Sequence, residues 1–129
     1  MPLEFEVSAV IPASPIKVYK AWLDSKSHSQ MTGGKAKVSA KVGESFQAWD
    51  GYITGKNLIL EPGKRIVQSW RTSEFKDSEE DSQIELSLEP VKEGTKLTLR
   101  HTNLPANGEQ YEQGWVDNYF DPMKAYFGD

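Results

Sequence analysis

From Leu3 to Ile11 the chain reads LEFEVSAVI, with Leu3, Phe5 and Val7 alternating against Glu4, Glu6 and Ser8. That two-residue period predicts a strand with one dry and one wet face. The period changes at ASPIKVYKAWLDS, where Ser14 suits an N-cap and Pro15 the first helical position. Ile16, Val18, Tyr19, Trp22 and Leu23 then share one apolar helical face. A second short helix is expected from Asp24 to Met31, stopped by Gly33-Gly34.

The strand period returns at Lys35. KAKVSAKV (35–42) predicts one strand, and GESFQAWDGYITG predicts two, joined at Asp50-Gly51, a pair suited to a tight type I′ turn. Pro62-Gly63 separates Leu58–Leu60 from Ile66–Trp70 in the same way. SEFKDSEEDS (73–82) is acidic and polar and reads as a solvated loop. QIELSLEP and TKLTLRHT then put Ile84, Leu86, Leu88, Leu97 and Leu99 on one face, turning at Lys92–Gly94. Phe46, Ala48, Ile66 and Trp70 extend that face. A one-side-dry sheet needs a cover, and the long segment left for it is the carboxy-terminal one.

That segment opens with Asn107 and Gln110 at capping-box spacing, so its helix is expected to begin near Gly108. At about 100° per residue, Tyr111, Trp115, Val116, Tyr119, Phe120, Met123, Tyr126 and Phe127 sweep half the circumference. An arc so wide suits a helix gripped by a curved sheet. Burying these side chains at roughly 1.5–3 kcal/mol each outweighs about 1 kcal/mol for Gly114 and about 3 for Pro122. The helix should therefore form, kink near Pro122 and approach the sheet at Gly114. If sheet and helix do not fill the space between them, Trp115, Tyr119 and Met123 would line a cavity.

Composition narrows the partners. The 129 residues suit one domain spanning 1–129, and the net charge of -4 with no basic block argues against nucleic acid. With zero cysteines there is no disulfide frame, thiolate metal site or cysteine nucleophile. The amino terminus shows no signal-peptide pattern, and no apolar run reaches the ~20 residues of a membrane span. A cytoplasmic, soluble protein without membrane insertion is the expectation. Neither cofactor nor metal is implied: Glu79, Glu80 and Asp81 read as solvated loop charge, and Asp50 serves its turn. His28, in the polar run SKSHSQ, is expected in solvent. His101, in phase with Leu97 and Leu99, is expected to point inward at a cavity rim, without an identifiable carboxylate to orient it as a base. No catalytic residue is assigned. The ligand-binding candidates are Phe46, Gln68, Trp70, Leu86, Leu99, His101, Trp115, Tyr119 and Met123, with Gln68 as a polar anchor.

The stretches GYITG…LEPGKRIVQSWR, LTLRHTNLP and GWVDNYFDPMKAYFG resemble the carboxy-terminal domain of the activator of the heat shock protein 90 ATPase. That family is similar in turn to START-like, polyketide-cyclase and birch-pollen-allergen-like helix-grip domains. The resemblance implies an α+β fold: about seven antiparallel strands curved around a long C-terminal helix, two short helices after the first strand, and an apolar cavity between. In the eukaryotic co-chaperone a separate amino-terminal domain carries much of the chaperone contact, and none of its residues carries over. Three functions follow as expectations: a non-catalytic module for a small apolar or aromatic ligand; a chaperone partner acting in stress; or a cyclase- or hydrolase-type enzyme with His101 as base.

Overall fold

The computed structural model describes residues 3–128. Its element order is β1 (Leu3–Ile11), α1 (Pro15–Trp22), α2 (Ser25–Thr32), β2 (Ser45–Ala48), β3 (Ile53–Glu61), β4 (Arg65–Thr72), β5 (Ser82–Val91) and β6 (Gly94–Leu104). A terminal rod follows: α3 (Gln110–Trp115), a π-helical segment (Val116–Phe120) and α4 (Asp121–Gly128). The strands form one antiparallel sheet in the order β1-β6-β5-β4-β3-β2. This is the expected helix-grip arrangement, with six strands among the described residues instead of about seven.

The strand that is missing is 35–42. It contributes a single bridge, Lys37 to Gln47. Side chains satisfy its backbone in place of a ladder: Val38 exchanges two hydrogen bonds with Ser25 Oγ, at 2.9 and 3.1 Å, and Asn57 Nδ2 donates to the carbonyls of Ser39 and Lys41. Local side-chain partners of this kind compete with strand pairing.

The turns follow the glycines, with one difference. Asp50-Gly51 is not a two-residue turn: β2 stops at Ala48, and Trp49, Asp50 and Gly51 all take positive φ, at 52°, 59° and 92°. Holding an aromatic residue there costs on the order of 1 kcal/mol or more. Trp49 is packed over Gly34, where a Cβ would lie 2.3 Å from its ring. At Gly55 a Cβ would fall 1.9 Å from the Ser69 carbonyl oxygen, so β3 and β4 approach closely. A register shift between Asn57 and Ile59 then leaves Leu58 and Ile59 on the solvent side.

Helix α2 starts one residue later than expected, with Asp24 as its cap, accepting from Ser27 N–H at 2.9 Å, and it stops at Gly33, left-handed, as the sequence suggests. Ser14 precedes α1 without a side-chain cap bond, and Ile16 is exposed while Val18, Tyr19, Ala21 and Trp22 are buried. The rod departs furthest from expectation. It starts at Gln110, after Glu109, with no side-chain cap, so the capping box does not form. A Cβ at Gly114 would meet only the Asn118 amide, at 3.8 Å, so this residue is not a point of close approach to the sheet. Pro122 is accommodated by the π segment: Asp121 N–H bonds to the Val116 carbonyl, five residues back, just before the residue that has no N–H to give. The wider turn advances less than 100° per residue and draws Trp115, Tyr119, Phe120 and Met123 toward one face. Those four are buried, while Tyr126 is exposed and Tyr111, Val116 and Phe127 are intermediate. The half-circle arc is thus narrower in three dimensions than an ideal helix makes it.

Beneath the rod, Ile66, Ile84, Leu86, Leu97 and Leu99 are completely buried, as is Met123 on the rod itself. Among the described residues no helix is long and apolar enough to cross a membrane.

Candidate functional site

Tight packing at the centre leaves an opening at one end of the grip. The β2–β3 tip supplies Trp49 and Tyr52, and Ile53 begins the next strand. The end of β4 supplies Trp70, and the rod supplies Gln110, Tyr111, Gly114, Trp115, Asn118 and Tyr119. Together they line a cleft of about 350 Å³. Six of these side chains are aromatic, with Gln110 and Asn118 exposed beside them.

The aromatic rings hold one another in place. Trp115 lies 4.8 Å from Tyr119 and 5.6 Å from Trp70, and Trp70 meets Tyr111 edge-on at 5.0 Å. Such contacts add about 0.5–1.5 kcal/mol each beyond area burial and favour a preformed wall. Tyr111 and Thr72 hydroxyls hydrogen-bond at 2.7 Å, and Tyr52 reaches the Glu74 carboxylate.

Two histidines stand behind this wall. His101 is fully buried, ringed by Phe5, Trp70, Tyr111 and Trp115. Trp115 Nε1–H donates to His101 Nδ1 at 3.0 Å, which assigns the ring proton to Nε2. That proton faces Ser82 Oγ at 2.9 Å, and Ser82 in turn donates to the Trp70 carbonyl at 2.6 Å. Burial pushes the His101 pKa down to about 3. Both nitrogens are engaged and the ring is neutral, so it cannot take a substrate proton without breaking the core.

His28 is not in solvent; it is 2% exposed. Its polar sequence neighbours occupy the other side of α2, while its ring turns inward. The Trp22 carbonyl accepts from Nδ1 at 2.8 Å, and Tyr119 OH donates to Nε2 at 3.2 Å. Burial lowers the His28 pKa and raises that of Tyr119. The acidic loop has structural partners: Asp81 pairs with Arg71 at 2.8 Å, Glu79 accepts from Lys76 N–H, and Phe75 from this loop is buried against Trp70 and Tyr111.

Of the residues expected at a ligand site, Trp70, Trp115 and Tyr119 come together on the cleft. Phe46 borders a separate open depression with Lys37, Lys56 and Ser69. Gln68 is buried away from the cleft, accepting from Trp22 Nε1 at 3.2 Å and donating to Asn57 Oδ1 at 2.8 Å. Leu86, Leu99 and Met123 lie in the sealed core, with His101 behind Trp70 and Trp115. Trp49, Tyr52, Ile53, Gln110, Tyr111, Gly114 and Asn118 were not among those candidates. Two aromatics flanking a glycine turn were the available signal for Trp49 and Tyr52.

Residues 12–128 match the family described as Activator of Hsp90 ATPase homolog 1-like protein. The chain is 31% identical over 118 residues to the human activator of 90 kDa heat shock protein ATPase homolog 1, covering 89% of this chain and 34% of that protein. It is 29% identical over 116 residues to the Dictyostelium discoideum homologue, covering 88% of this chain and 30% of that one. The chain thus spans about a third of these relatives' length. A crystal structure of an HSP90 activator from Plasmodium falciparum superimposes with a TM-score of 0.89 at 26% identity, over 98% of this chain and 96% of that one.

Proposed function

The chain belongs to the Activator of Hsp90 ATPase homolog 1-like family, and from that premise we propose that its aromatic cleft binds a small, flat, apolar or aromatic molecule without transforming it. The observation that carries this reading is the cleft itself: about 350 Å³ walled by six aromatic side chains. Small-molecule sites run from roughly 300 to 1,000 Å³ and pair apolar walls with few polar groups. Engagement of both histidines inside the core favours binding over acid–base chemistry. The test is a titration with flat aromatic probes followed by tryptophan fluorescence and melting temperature. Saturable quenching with a raised melting temperature supports the reading, and a panel that produces neither refutes it.

A second reading is contact with a heat shock protein 90-type chaperone and stimulation of its ATPase. It is favoured by the names of the relatives and by the match to the Plasmodium falciparum HSP90 activator across nearly all of both chains. A steady-state ATPase assay with purified chaperone tests it. A rate increase that saturates with added protein supports it; an unchanged rate together with no pull-down removes it.

A further inference from the structure

Buried polar side chains in this core are matched. Trp22 and Trp115 donate their indole N–H groups to Gln68 and His101. Asn57, Ser82 and both histidines are likewise hydrogen-bonded, and the unsatisfied Nε of Arg65 still sits 3.4 Å from Glu85 on the outer face. Trp70 and Tyr19 are the exceptions, and of the two only Trp70 borders the cleft. Its side chain is 3% exposed and borders the cleft, yet among the described residues its N–H finds no oxygen or nitrogen acceptor. It is also not among the unpartnered atoms sealed from solvent. An indole N–H can donate but not accept, and this one keeps access to solvent, so an acceptor can reach it.

The neighbouring hydroxyls do not supply that partner. Tyr119 and Tyr111 bond to His28 and Thr72, and neither hydroxyl accepts from the Trp70 N–H. The cleft therefore has apolar faces and, in Trp70, a buried wall residue whose donor is unused; Trp49, only half-buried, is the other wall tryptophan without an acceptor among the described residues. From this juxtaposition we infer that the cleft selects flat molecules carrying a hydrogen-bond acceptor at their edge, such as a ring ketone, with Trp70 Nε1–H as the group that receives it. The inference rests on the binding reading above and specifies its ligand class. Trp70 is then the specificity-determining residue, because an isosteric ligand without the acceptor leaves the N–H unmatched.

Fluorenone and fluorene test it, since they share one flat outline and differ in a carbonyl against a methylene. Fluorenone is expected to bind about three- to tenfold more tightly, the range a net hydrogen bond confers. In Trp70→Phe that preference should vanish or reverse, because the carbonyl loses its water and gains no donor. A second measurement needs no folded variant of altered affinity: the Trp70 indole proton resonance in the wild-type protein. It should move downfield with fluorenone and not with fluorene. Equal affinities with an unmoved resonance overturn the inference while leaving the binding reading intact. Failure of both probes to bind overturns both together.

Discussion

Acidification should weaken this fold through His101, and the size of the effect can be worked from the cage around it. The ring is neutral and fully buried, with a pKa of about 3 against an ordinary 6.5. A pKa lowered by folding means that the unfolded chain takes up a proton first. Stability is therefore intact above about pH 6.5 and declines as pH falls toward 3. At about pH 4.5, two units into that window, the loss is roughly 3 kcal/mol at 1.36 per unit. Such a loss is a large share of a typical folding free energy of about 5–15 kcal/mol. Urea denaturation followed by tryptophan fluorescence, at intervals from pH 7.5 to 4.5, reads it directly. His28 shifts in the same direction and also contributes, so His101→Phe is the control. That variant should start about 1–3 kcal/mol less stable, because Trp115 N–H loses its acceptor. It should then lose roughly 3 kcal/mol less than wild type on acidification, and the two curves should converge or cross. Asp24, held below its ordinary 3.8 by the Ser27 N–H, titrates at lower pH and does not confuse the window. Parallel curves for the two proteins would refute the reasoning.

Met123→Ala, at a fully buried position of the rod, should cost about 2–5 kcal/mol in chemical denaturation. Tyr119→Phe removes the hydroxyl that donates to His28 Nε2 and should cost about 1–3 kcal/mol, with the cleft still open to probes by fluorescence. Gly34→Ala would drive a methyl into the Trp49 ring, now 2.3 Å from that position, so the fluorescence of this tryptophan and probe affinity should both change. Gly55→Ala meets a backbone oxygen at 1.9 Å and should destabilise by about 3 kcal/mol or more, seen as a lowered melting temperature.

Elements set by simple periodicity were legible in the chain. The alternation in β5 and β6, the Pro62-Gly63 turn and the glycine stop of α2 all follow from local chemistry that the fold does not override. Segment 35–42 was misleading because its alternation is real but its hydrogen-bond partners are Ser25 and Asn57, distant side chains that no local pattern announces. His28 was misjudged because its polar neighbours describe the outer side of a short helix, whereas its own direction depends on Trp22 and Tyr119. The rod's aromatic side chains were recognised, but an assumed 100° advance spread them too widely across the π segment. The cleft drew on residues from the loop tip at Trp49 and Tyr52, whose place opposite the rod is set by the curvature of the whole sheet.

The π segment also determines where this rod can tolerate a change of length. Removing one residue between Val116 and Phe120 would let the helical turns on either side join in ordinary α geometry with the orientation of both ends nearly untouched, at a cost of about 3 kcal/mol for Pro122 inside a regular helix. The same deletion in α4 before Met123 would swing that methionine about 100° around the axis and out of its socket. The irregular turn is thus an expansion joint, the stretch of the rod at which a residue can be gained or lost without the two halves losing their shared alignment.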